Sequence, residues 1–152
     1  MKNSAVRFVL GFLVLVLLGT AEEMAPKLLE VGLPLLLVAV QFYAARRSLP
    51  EAIVFAVAAG GVEDALSGLP LMTSVSYFLA VTILTRWVEV PRFATLLTFP
   101  IYQLWLHLWV PRIEGGVFMR MLVSLPLGAL LAFLLVPVLA GLDGKAAVDD
   151  EE

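Results

Sequence analysis

The apolar positions of this chain run in long blocks rather than in alternation. Phe8–Leu18 (FVLGFLVLVLL) and Leu127–Leu139 (LGALLAFLLVPVL) show the pattern. Strands of a membrane barrel alternate apolar and polar residues over about 10 positions. Continuous runs instead predict helices, which satisfy their own backbone groups. Six helices follow from the runs and their punctuation. The first spans about Ala5 to Ala21 and stops at Glu22-Glu23. The second spans about Leu28 to Ala45 and stops at Arg46-Arg47. The third starts after Pro50, near Glu51, and reaches about Leu66. The fourth follows Gly68-Leu69-Pro70 and reaches about Trp87. The fifth starts after Pro91 and ends at Val110-Pro111, and the sixth spans about Val117 to Leu142. Proline is tolerated in a first turn and disruptive inside a helix, so Pro50, Pro70, Pro91 and Pro111 mark joints.

Composition turns these helices into an expectation about their solvent. Of the 152 residues, 61% are apolar or aromatic, against about 45–50% in ordinary soluble domains. A soluble fold of this size leaves much of its surface in water. Six spans of about 20 residues each would use most of the chain. The expectation is an all-α integral membrane protein, a six-transmembrane-helix bundle. It forms one domain over 1–142, followed by an acidic, solvated tail over 143–152. No length remains for a separate catalytic, nucleotide-binding or periplasmic ligand domain.

Charge sets an expected orientation. With the N-terminus inside, the cytoplasmic side holds Lys2, Arg7, Arg46, Arg47, Arg86, Arg92 and Lys145. The other side holds Lys27, Arg112 and Arg120. Lys and Arg favour cytoplasmic loops, so both termini are expected on the cytoplasmic side. Tyr43, Trp87, Trp105 and Trp109 fall near expected span ends, as interfacial aromatics do. A rival reading makes the first segment a cleaved signal. Lys2 and Arg7 would be its basic start, Phe8–Leu18 its apolar core and Gly19-Thr20-Ala21 its small-residue site.

Candidate chemistry is sparse. There is no cysteine, which removes disulfides, thiolate metal sites and cysteine nucleophiles. His107 is the single histidine, with Gln103 one turn before it. One histidine cannot build a zinc site, so a packing role is expected. No nucleophile–base pair or metal-ligand cluster is evident, and Gly60-Gly61 lacks the following Lys of a phosphate loop. No basic cluster points to nucleic acid. The expectation is a protein without catalytic residues, cofactor or metal.

The third helix is the unusual one. Ala52–Val62 is free of charge, and then Glu63 and Asp64 arrive. Ala52, Ala56, Gly60 and Asp64 lie four apart and share one helix face. Small residues at that spacing let a neighbouring helix come close. Ser124, Gly128 and Ala132 form a second such line in the sixth helix, and pairing the two would hold Asp64 inside the bundle. Three readings of Glu63-Asp64 stay open. They are a hydrated acidic helix end, a proton or cation site, or a structural acid that accepts backbone amides from the turn built by Ser67, Gly68 and Pro70. An ion pair to Arg112 or Arg120 is a further expectation, and Glu30 near Lys27 is expected at the surface.

The stretch Gly60-Gly61-Val62-Glu63-Asp64-Ala65-Leu66-Ser67-Gly68-Leu69-Pro70-Leu71 resembles the signature of the rod shape-determining protein MreD family. Those proteins share a Gly-rich third span running into an Asp, a Ser-Gly and a Pro-Leu-Gly turn. Asp64, Ser67-Gly68 and Pro70-Leu71 match in spacing. Met72 departs, standing where the family usually has glycine. The likeness covers about a dozen residues, beside a similar length and span order. It implies a non-enzymatic inner-membrane scaffold of the bacterial cell-elongation machinery, in contact with membrane lipid. Its implied partners are MreC, which has one span and a periplasmic domain, and directly or indirectly MreB and the peptidoglycan synthases of the lateral wall. It implies a fold similar to the six-helix substrate-binding subunits of energy-coupling-factor transporters. A vitamin-type binding subunit of such a transporter is the alternative. The first helix lacks an Ala-x-x-x-Ala line within its apolar core, which tilts the reading toward the scaffold.

Overall fold

In the computed structural model the backbone is described for residues 2–29, 34–88, 95–109, 126, 130 and 133–141. Side chains are described for 11–24, 34–87, 98–106, 108–109, 126, 130 and 133–141. The elements are α1 (Lys2–Leu29), α2 (Leu35–Arg46), α3 (Leu49–Ser67), α4 (Thr73–Val88) and α5 (Thr95–Trp109). A further helical stretch covers residues 133–141, and no strand occurs among the described residues.

The helix ends follow local chemistry. Pro50 sits in the first turn of α3, where its missing N–H is not needed, and Glu51 places a carboxylate at the positive end of the helix. At the other end Gly68 adopts φ 62°, the left-handed conformation that lets its N–H return to the Asp64 carbonyl. Leu69 N–H reaches the same carbonyl at 3.1 Å. The chain then turns through Pro70-Leu71-Met72, with Thr73 N–H donating to the Pro70 carbonyl at 3.1 Å. Met72 has φ 76°, the sign that the third position of a type II turn requires. The turn therefore forms although methionine replaces the expected glycine.

The core lies between α3 and α4, closed by α1, α2 and α5. Leu15, Leu36, Ala56, Phe78 and Tyr102 are buried in one cluster. The small-residue face of α3 is what brings α4 close. Ala52, Ala56, Gly60 and Asp64 are all buried. A Cβ at Gly60 would stand 2.5 Å from the Val75 Cα and 2.6 Å from its nitrogen. The α3 backbone thus rests directly on the first turns of α4. The second small-residue line, Ser124, Gly128 and Ala132, lies outside the described residues, as does the tail 143–152.

The expected six-transmembrane-helix bundle is corrected here. No helix among the described residues is long and apolar enough to cross a membrane. At about 1.5 Å per residue, α2, with 12 residues and both ends described, falls short of a hydrocarbon core about 30 Å thick. α3 has 19 residues but carries Glu51, Glu63 and Asp64. The described side chains of α1, residues 11–24, run into Glu22 and Glu23. The multi-pass inner-membrane placement, with both termini cytoplasmic, falls with the spans. The apolar runs were measured along the sequence, where joints and inward-turned acids look like span ends. Large apolar side chains remain exposed on α1, α3, α4 and α5, among them Leu17, Val54, Trp87 and Leu108, while α2 exposes none.

Candidate functional site

At the corner where α3 turns into α4, four acids from two helices converge. Asp64 is 2% exposed and Glu63 6%, so neither forms a hydrated helix end. Asp64 Oδ1 accepts the Ser74 N–H at 2.7 Å. Ser74 is the second residue of α4, whose early N–H groups have no partner within the helix. Asp64 thus caps α4 from another element, where the helix dipole also favours a negative charge. Its second oxygen, Oδ2, is buried without a hydrogen-bond partner.

α5 is tied to the same point. The hydroxyls of Ser74 and Tyr102 lie 2.6 Å apart. Trp105 Nε1 donates to the Thr73 carbonyl at 3.0 Å, and the Tyr77 hydroxyl donates to the Thr98 carbonyl. Trp105 therefore packs at the corner, while Trp87 is 83% exposed; the two share no aromatic belt. Trp109 stacks on Trp105 at 5.9 Å between ring centroids.

α1 supplies two more acids that the sequence presents only as a helix end. Glu22 Oε2 accepts the Leu36 N–H at 2.8 Å. α2 follows Pro34 and has no side-chain cap of its own, so Glu22 serves that helix as Asp64 serves α4. Glu23 Oε1 accepts the Ser67 hydroxyl at 2.7 Å. The signal available in the sequence is a missing one. The N-cap of α2 is Pro34 rather than Ser, Thr, Asp or Asn, and a helix start buried at Leu35 and Leu36 needs an acceptor from elsewhere.

Glu63 is the poorly served member. Ser67 has one hydroxyl proton and gives it to Glu23; its oxygen is 3.5 Å from Glu63 Oε1, at the limit of a hydrogen bond. Glu63 Oε2 is buried without a partner. Burial, then the charges of Glu23 and Asp64, push the Glu63 carboxyl up to about 7. Burial and the Glu63 charge push Glu22 well above the ordinary carboxyl range, against the pull of the Leu36 and Leu35 amides. Burial raises the Tyr102 hydroxyl as well, reinforced by Glu63, so it stays protonated.

Of the motif residues read from the sequence, Gly60, Asp64, Ser67, Gly68 and Pro70 all contribute to this corner. His107 lies in α5 with its side chain outside the described residues, as do the side chains of Lys27, Glu30, Arg112 and Arg120. The expected ion pairs fall there too. Among the described residues no group of three or more His, Cys, Asp or Glu is arranged to hold a metal ion. Comparison with protein-family models, with curated proteins and with solved structures finds no match to this chain.

Proposed function

We propose that this chain is a non-enzymatic scaffold of the bacterial cell-elongation machinery that binds MreC and supports lateral-wall peptidoglycan synthesis. The observation that carries the reading is the stretch Gly60–Leu71, with Asp64, Ser67-Gly68 and Pro70-Leu71 spaced as in the MreD signature. What supports it is the use made of that stretch. The signature residues seat α3 on α4, and the α4 residues held there, Thr73 and Ser74, bond α5. The exposed apolar side chains, such as Leu17, Val54 and Leu108, provide the kind of surface on which protein partners dock.

Co-purification tests the proposal. The tagged full chain, expressed with MreC, is expected to retain MreC in stoichiometric amount. Deletion of the gene is expected to round rod-shaped cells, and the wild-type chain to restore them. Retention of an ATPase module or a vitamin in place of MreC would overturn the scaffold reading in favour of a transporter subunit.

A further inference from the structure

We propose that the carboxylate cluster at the α3–α4 corner is a proton-binding site, in which Glu63 carries a proton that fastens α1 to α3. The geometry makes the argument. A buried carboxylate needs several donors to remain charged. Glu22 has the Leu36 amide, Glu23 has the Ser67 hydroxyl and Asp64 has the Ser74 amide. Glu63 has one contact of 3.5 Å and one oxygen, Oε2, with none.

The surroundings of Glu63 supply no compensating charge. α1 contributes Glu22 and Glu23, and α3 contributes Asp64 and the Ser67 hydroxyl. α5 contributes Tyr102, and α4 the Ser74 hydroxyl bonded to Tyr102. α2 offers only the Leu35 and Leu36 amides, already given to Glu22. The charges acting on Glu63 are those of other acids. A proton on Oε2 removes a buried charge and relieves an orphaned acceptor; the Ser67 and Tyr102 hydroxyls pull the carboxyl the other way, but burial and the Glu23 charge outweigh them. The donor set is all oxygen, which also suits a hard cation. Among the described residues, though, no metal-holding group of acids is assembled.

The sign of the pH effect follows. Burial and the neighbouring acids lift Glu63 to about 7 when folded, above its ordinary 4.5, so the folded state holds more protons than the unfolded chain between those limits. Stability is fully present below pH 4.5 and is lost as pH rises through 7.

The test uses the purified full chain and its thermal unfolding from pH 5 to pH 8, beside the infrared band of a protonated carboxyl at pH 6. Wild type is expected to lose stability with rising pH, by at most about tenfold in the folding constant per pH unit for one proton. E63Q, which keeps the shape and supplies a permanent donor, is expected to make that slope shallower and weaken the band, the remainder belonging to Glu22. A wild-type profile that is flat or rises with pH overturns the proposal, as does an E63Q slope and band equal to those of wild type. If E63Q fails to fold, E22Q decides: a slope and band that survive it belong to Glu63, and their loss overturns the proposal. Stabilisation at pH 8 by sodium or potassium chloride, absent with choline chloride, would also overturn it and make the occupant a metal cation.

Discussion

Asp64 shows how much one side chain is asked to do. One oxygen caps α4 through Ser74 N–H, and its own carbonyl receives the N–H groups of Gly68 and Leu69. Asp64→Ala leaves a buried amide unpaired and should cost about 1–3 kcal/mol. Asp64→Asn keeps an acceptor and should cost less, with partner binding falling only as the folded amount falls. Thermal melts of both variants check the order; equal losses would contradict the capping role. Met72 offers the opposite case. It sits at φ 76° and is 59% exposed, so strain is not offset by burial. A left-handed residue with a Cβ costs about 1–2 kcal/mol. Glycine loses about 0.5–1 kcal/mol of chain freedom, so Met72→Gly should stabilise slightly, by under about 1 kcal/mol. A denaturant midpoint that moves down would refute this. The Asp64 role was legible because its partners are nearby in sequence and the turn residues Gly68 and Pro70 announce themselves. The conformation of Met72 was not, because methionine carries no turn signal of its own.

Between elements, two glycines set how closely helices approach. At Gly60 an added Cβ meets the Val75 backbone, whereas at Gly19 it meets the tips of Val62 at 2.8 Å and Leu66 at 3.0 Å. Backbone cannot give way and flexible side chains can. Gly60→Ala should therefore destabilise by about 1–3 kcal/mol as overpacking does. Gly19→Ala should cost far less, since alanine favours the helix by about 0.5–1 kcal/mol. Equal losses in chemical denaturation would show that the α3–α4 contact is not the tighter one. The line Ala52, Ala56, Gly60 and Asp64 was readable at this scale, since a spacing of four marks one helix face. Its neighbour was not. The sequence offered Ser124, Gly128 and Ala132, and the structure places α4 against it through Gly60 and Val75. Glu22 was missed for a related reason: its bond to Leu36 joins two helices, and helical periodicity carries no information about which helix lies beside which.

For the whole molecule, helices were legible together with the joints at Arg46-Arg47 and Gly68-Leu69-Pro70, but α1 runs through Glu22-Glu23 to Leu29, and no helix among the described residues is long and apolar enough to cross a membrane as expected. Apolar content of 61% and proline joints locate helices without regard to what surrounds them. The length of α2 depends on where its turns close, after Pro34 and at Arg47, which run lengths do not report. Arg86 reaches the Ala44 carbonyl at 3.5 Å, so the α4 arginine joins the Arg46-Arg47 end of α2. The acids gather at the opposite ends of these helices, around Leu36 and Ser74.

The Asp64–Ser74 bond also fixes an order of events. It joins residues 10 apart, while Glu23–Ser67 joins residues 44 apart. Closing the longer loop costs about 1.3 kcal/mol more in chain entropy. The α3–α4 corner is thus the natural nucleus, and α1 docks on it late. In stopped-flow chevrons, Gly60→Ala should slow refolding, while Gly19→Ala should chiefly quicken unfolding. The reverse pattern would place α1 in the nucleus. During synthesis, α1 leaves the ribosome before the corner it needs has been made. Glu22 can meet Leu36 within 14 residues, but Glu23 must wait for Ser67, 44 residues on, so α1 can be seated on α2 well before it is seated on the corner.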